Sequence, residues 1–286
     1  MTTPTIAILQ KWKLESGTMP QTGVIHISDI IPTLSVLEKY LNIDLINNTL
    51  GSAGKRIYSG DIDVAINLIN DIQVEKFIEI LKTIPIILEV KKGSVIMTTV
   101  QIPNWNPKKY SNVNGTGYVQ IDFMFSKDVD LLKLFYHSPS ENDSKYKGLY
   151  RNILLGAIAH YYDIKYSDVL LLGSVPQYEE RYFWSAEYGL YRGRSYKVLS
   201  QDKTKVLKKK INTFISMDQT YKTATQIVKQ LNLSSEDSLY SFETLFNDIN
   251  TTYDNKTLDH IYTEFVNNRY VKDMGIPNEL LNYYRN

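Results

Sequence analysis

An α+β fold is the expectation for this 286-residue chain: a mixed β-sheet with flanking helices, followed by a mainly helical C-terminal domain. Three observations predict it. Apolar residues recur at helical spacing over Ser28 to Ile43, and strand-like alternation then takes over in Asp61 to Leu68 and in later segments. The composition shifts near residue 136, where the polar run from Ser138 to Gly148 opens a remainder of largely helical periodicity. The expected domains are therefore 1–138 and 139–286.

Taking the elements in order, Ser28 and Asp29 suit a helix N-cap before the first apolar repeat. Val74 to Ile84 reads as an amphipathic helix. Ile86 to Val90, Val95 to Ile102 and Val119 to Phe125 read as strands, with a turn-rich stretch at 104–117 before the last. In the second half, Leu149 to Tyr162 is the first clear helix. Arg181 to Leu199 reads as a hairpin, with Tyr, Phe and Trp flanking glycine-containing turns. Lys203 to Ile215, Lys222 to Leu233, Ser238 to Asn250 and Leu258 to Val271 read as helices.

Composition narrows the chemistry. Apolar residues make up 43%, enough for a sizeable core, and the absence of cysteine rules out disulfides and thiol catalysis. Thirty-two basic against 31 acidic residues leave a net charge of +1, which argues mildly against long nucleic acid as a partner. Neither a leader-like apolar run nor a membrane-length one is visible, so a cytoplasmic protein with no membrane partner is the expectation. The abundance of Asn, Ile, Lys and Tyr suits an AT-rich source such as a phage or mobile element.

The informative segment runs from Gly51-Ser52 to Asp61-Ile62-Asp63. Residues two apart on a strand share a face, so Asp61 and Asp63 stand side by side as two carboxylates. Such anions repel, and each raises the other's pKa unless a cation lies between them. Hard oxygen donors suit Mg²⁺ or Mn²⁺, which bind through one or two carboxylates and substrate phosphates. Ile62, Val64 and Ile66 face the opposite way and anchor the strand in the core. A third carboxylate, Asp122, lies between Ile121 and Phe123, with Gln120 and Met124 sharing its face. If its strand lies beside that of Asp61 and Asp63, the three converge as a two-metal site. Upstream, Gly51 allows a close backbone approach to a ligand and Ser52 adds a hydroxyl donor, while Lys55 and Arg56 supply charge for phosphates.

Together, these residues resemble the DNA polymerase β-like nucleotidyltransferase superfamily. Its hallmark is an apolar residue, Gly-Gly or Gly-Ser, a spacer, and two acidic residues around one apolar residue, with a third acidic residue on a later strand. Leu50-Gly51-Ser52, Asp61-Ile62-Asp63 and Asp122 fit that pattern over residues 28–126. The resemblance implies a nucleotidyltransferase-type mixed sheet, with Gly51 and Ser52 on the triphosphate of a nucleoside triphosphate substrate. It implies Asp61 and Asp63 on both metals, and Asp122 on the catalytic metal, helping to deprotonate an acceptor hydroxyl. Members often place nucleotide contacts at the start of a C-terminal helical domain. Here Lys145, Lys147 and Arg151 would reach phosphates, and Tyr146 or Tyr150 would stack on the base; the alternative is a solvated turn leading into a core helix. The acceptor stays open among an RNA or tRNA end, a small molecule and a protein side chain. The other class of reading is an inactive relative that binds nucleotides or scaffolds a partner. His26, His137, His160 and His260 show no metal-ligand spacing and read as surface or core residues. Lys205 to Asn212 reads as a solvated helix face ahead of a nucleic-acid contact, and Tyr182-Phe183-Trp184 as packing ahead of a base platform.

Overall fold

In the computed structural model, the described residues are 17–67, 70–163, 165–168, 176–199, 206–210 and 220–283. The chain divides into two compact units, one ending at Gly148 and the other continuing from Leu149. The α+β class holds in both, since each combines helices with a sheet.

The first unit opens with β1 (Ile25–His26) and α1 (Ile27–Leu41). His26, rather than Ser28 or Asp29, caps this helix: its ring nitrogen accepts the Ser28 N–H at 3.1 Å. Asn42, in the left-handed region at φ 53°, closes it. β2 (Tyr58–Ser59) pairs with β1, and β3 (Asp61–Asn67) follows. α2 (Asp71–Thr83) starts at a capping box formed by Asn70 and Gln73. β4 (Ile87–Lys92), β5 (Ile96–Gln101), β6 (Tyr118–Ser126) and α3 (Val129–Phe135) complete the set.

The four-stranded sheet has the order β3-β6-β5-β4, with β3 parallel to β6 and the other pairs antiparallel. Alternation divides its faces. Ile62, Val64 and Ile66 of β3 and Val119, Ile121 and Phe123 of β6 join Ile30, Leu34 and Leu37 of α1 and Phe77, Ile78 and Leu81 of α2 in one core. The opposite face of the same two strands holds Asp61, Asp63, Gln120 and Asp122. Burial of one face thus fixes which residues the other face presents.

The second unit differs from expectation. It carries α4 (Gly148–Tyr161) from its first turn, then β7 (Lys165–Asp168), β8 (Pro176–Ser185), β9 (Gly189–Leu199), β10 (Val206–Lys210) and β11 (Thr220–Tyr221). α5 (Ala224–Gln230), α6 (Phe242–Thr252), α7 (Asn255–Asn267), α8 (Arg269–Met274) and α9 (Asn278–Tyr283) follow. The hairpin expected around Arg181 to Leu199 is present as β8 and β9 and extends toward Pro176. The expectation of a mainly helical C-terminal domain is corrected by an antiparallel sheet of order β10-β9-β8-β7, with β11 also pairing with β9. Residues 206–210, expected in a helix, form a strand, because pairing with β9 overrides the weak helical preference of a short lysine-rich segment. The rest of that expected helix, residues 203–205 and 211–215, lies outside the described residues. Among the described residues, no helix is long and apolar enough to cross a membrane.

The core of the first unit supplies a stability test. Phe123 is fully buried and meets Phe77 edge-on, ring centroids 5.2 Å apart. Phe123→Ala should destabilise this unit by about 3–5 kcal/mol through lost burial and the cavity left behind. A denaturant titration that gives a wild-type midpoint would contradict the packing described.

Candidate active site

The site is set by the register of two parallel strands. Asp63 of β3 lies directly opposite Asp122 of β6, and Asp61 opposite Gln120. Residues in register on neighbouring strands project from the same face, so the three carboxylates occupy one corner of the sheet. The segment before β3 then returns along its free edge. Thr49 bridges Val64 in antiparallel fashion, the Leu50 N–H donates to the Asp63 carbonyl at 2.8 Å, and the Ala65 N–H donates to the Asn48 carbonyl at 2.8 Å. That path brings Gly51 beside Asp63. Gly51 has φ +63°, and a Cβ there would lie 3.2 Å from Asp63 Oδ2. Conformation and close approach both select glycine. The Lys55 N–H closes the turn onto the Ser52 carbonyl at 3.1 Å.

Electrostatics records the crowding. Burial, with the charges of Asp61 and Asp122 acting in the same direction, pushes the Asp63 carboxyl up to about 7. Burial likewise raises Asp122 to about 6; the hydrogen bond from Gln120 works against that rise and the Asp61 charge adds to it. Asp61 is raised by burial despite the nearby cations Arg56 and Lys147. Burial pulls the Arg56 guanidinium down, partly offset by Asp61 and Glu141.

Arg56 and Lys147 therefore stand within electrostatic reach of Asp61, as a phosphate-binding role requires. Lys55 is half-buried, and its ammonium donates to the Ser138 carbonyl. Lys145 is exposed. Arg151 is placed elsewhere: it is fully buried in the second unit, where its guanidinium donates to the Leu239 carbonyl at 3.1 Å. Lys147 does not share a helix face with Arg151, because α4 begins at Gly148 and leaves Lys147 before the first turn. The two candidate stacking tyrosines are also buried. The Tyr150 hydroxyl donates to the Gly275 carbonyl at 2.8 Å, and its ring packs near Phe242 and Phe265.

Compared with known proteins, the chain matches no family model and no curated protein.

Tyr136 and His137 reach the site without a sequence signal of their own, whereas Gln120 is the expected neighbour of Asp122 on its face. The backbone of His137 bridges Gly51 in parallel. Tyr136 is half-buried, and its hydroxyl is raised by burial and by the charge of Asp63. Gln120, buried beneath the carboxylates, donates to Asp122 Oδ1 at 2.8 Å.

The donor set suits a hard divalent cation. Among the described residues, no three His, Cys, Asp or Glu side chains form a ready-made metal-holding group. The three carboxylates are neighbours in register rather than a closed cage, an arrangement that suits Mg²⁺ because it is held in part by substrate phosphates.

The crowding has a measurable sign. Asp63 and Asp122 hold protons in the folded chain at pH values where an unfolded carboxyl, near about 4, has lost them. The native state then binds more protons than the unfolded one, so this cluster lowers stability as pH rises from about 4 through about 7. Thermal melts in EDTA should show a steeper loss over that range for wild type than for Asp63→Asn, and Mg²⁺ should reduce the difference. Parallel pH profiles for the two proteins would argue against the crowding.

Proposed function

We propose that the first unit is the nucleotidyltransferase-type catalytic core of a metal-dependent enzyme that moves a nucleoside monophosphate from a nucleoside triphosphate to an acceptor hydroxyl. The observation that carries this reading is the in-register pair Asp63 and Asp122, joined by Asp61 on the same face and by the Gly51-Ser52 turn at its edge. A structural role leaves three mutually repelling carboxylates unexplained, whereas Mg²⁺ or Mn²⁺ offsets their charge.

In this reading Asp61 and Asp63 would hold the metal that accompanies the triphosphate, and all three carboxylates would hold the catalytic one. Bound divalent cations stabilise the charge that develops on the entering and leaving oxygens. The Ser52 hydroxyl and the charges of Arg56 and Lys147 bind and orient the phosphates. The Asp122 carboxylate takes the proton of the acceptor hydroxyl; its Oδ1 also accepts from Gln120. The acceptor oxygen bonds to the α-phosphorus, the bond from that phosphorus to the bridging oxygen breaks, and pyrophosphate leaves with the electron pair. Incubation with α-labelled nucleotides and cell extract distinguishes RNA or tRNA ends, small molecules and protein side chains as the acceptor.

Asp61→Asn or Asp63→Asn should lower pyrophosphate release about a thousandfold or more, since a lost metal ligand removes several kcal/mol of transition-state stabilisation. Full activity in either variant would remove the basis of the proposal. Asp122→Ala should lower kcat while nucleotide affinity stays near wild type, because Asp61 and Asp63 still hold the triphosphate and its metal. Wild-type turnover in that variant would exclude Asp122 from the chemistry.

A further inference from the structure

We propose that Gln120 is a positioning residue for Asp122, and that the segment from Gly17 to Thr22 acts as a strap that holds Gln120 in place. The inference rests on the reading of Asp122 as a metal ligand and adds to it the device that aims the carboxylate.

Hydrogen-bond direction fixes the Gln120 side chain. Met19 offers a backbone N–H, which can only donate, and it reaches Gln120 Oε1 at 2.8 Å. The other end of the amide must then present Nε2, which donates to Asp122 Oδ1 at 2.8 Å. One oxygen of Asp122 is thereby committed, and Oδ2 is left for the metal. A ligand carboxylate held by an outer hydrogen bond keeps its orientation when the metal leaves and returns.

The strap spans the sheet at the level of Gln120. The Gly17 N–H donates to the Gly60 carbonyl at 3.1 Å, next to the start of β3. Met19 meets Gln120 on β6, and Thr99 of β5 donates through its hydroxyl to the Pro20 carbonyl at 3.3 Å. These anchors fall on one row, because Gln120 pairs in register with Asp61 on one side and Thr99 on the other. The Thr22 hydroxyl ties the segment to itself, donating to the Met19 carbonyl at 2.7 Å. Met19 and Gln120 are both only 4% exposed, so the tie is shielded from competing water. Gly17 packs directly on this amide: a Cβ there would fall 2.4 Å from Gln120 Oε1 and 2.5 Å from its Cβ. A side chain at position 17 therefore forces Gln120 and the strap to shift apart.

Two variants reach the same link from opposite ends. Gln120→Met keeps the length of the side chain and removes both hydrogen bonds, and Gly17→Ala keeps the glutamine and displaces it. Each should weaken Mn²⁺ binding at one site by roughly 10- to 100-fold, the range found for outer partners of metal ligands. Electron paramagnetic resonance titration of Mn²⁺ in the presence of a nucleoside triphosphate reads this directly. Each should also lower kcat while KM for the nucleotide stays within about twofold of wild type. The double variant should lose little more than the worse single one, because both act through one contact. Thr98→Val removes the buried hydrogen bond from the Thr98 hydroxyl to the Ile121 carbonyl at 2.9 Å, on the core face and away from the strap; it controls for general loosening and should bind Mn²⁺ like wild type. Wild-type Mn²⁺ affinity in folded Gln120→Met, or equal weakening in Thr98→Val, would overturn the positioning role. Failure of the wild-type protein to bind Mn²⁺ at all would instead overturn the reading of Asp122 as a ligand, and the positioning role with it.

Discussion

The parallel pairing of β3 with β6 is the constraint on which the rest of the first unit depends. A strand alternates its side chains, so a single register assigns both faces at once. Ile62, Val64, Ile121 and Phe123 are fully buried on one side. Their burial drives the pairing, and the same pairing brings Asp63 level with Asp122 on the other. Apolar packing therefore supplies the free energy that holds like charges together. A slip of one residue would bury carboxylates and expose the core, so the register is protected by the cost of both errors.

Much of this was legible in the sequence because it follows from a period of two. Asp61-Ile62-Asp63 and Gln120-Ile121-Asp122 each declare an apolar face and a polar one, and the structure places both as expected. The strand boundaries and α2 follow the same logic. Legibility fails where a side chain depends on distant backbone. Gln120 was visible as a neighbour on the face of Asp122, but its partner Met19 lies 101 residues away, and no local pattern announces such a contact. Tyr136 and His137 reach the site through the chain's return after α3, which periodicity cannot foresee.

The second unit shows a different limit. Residues 206–210 combine two apolar residues with three lysines, a pattern compatible with one solvated helix face or with a short strand. The structure puts them in β10, at the end of the strand order among the described residues. Lysine is a common residue on sheet edges, where charge discourages further pairing. Short segments of this kind take their structure from their partners, and β9 decides the matter here. Arg151 illustrates the same dependence for a side chain. Read locally, it follows Lys147 by one helical turn, but helix geometry applies only after Gly148, and its guanidinium donates to a carbonyl 88 residues away.

The cationic side of the site is produced by chain closure rather than by any one motif. After α3 the chain returns to the Gly-Ser turn and is tied there repeatedly. His137 bridges Gly51, the Lys55 ammonium donates to the Ser138 carbonyl, and the Glu141 N–H donates to the Lys55 carbonyl at 3.3 Å. The Gly148 N–H then donates to the Ser138 hydroxyl at 3.1 Å, closing the segment on itself. Lys147 sits one residue before that closure, which brings its charge within reach of Asp61. Lys55 thus contributes by fastening the segment, while Arg56 and Lys147 contribute charge. The division follows from geometry: a lysine whose ammonium is bound to a carbonyl is a tether, and one in electrostatic reach of Asp61 adds charge to the carboxylate face.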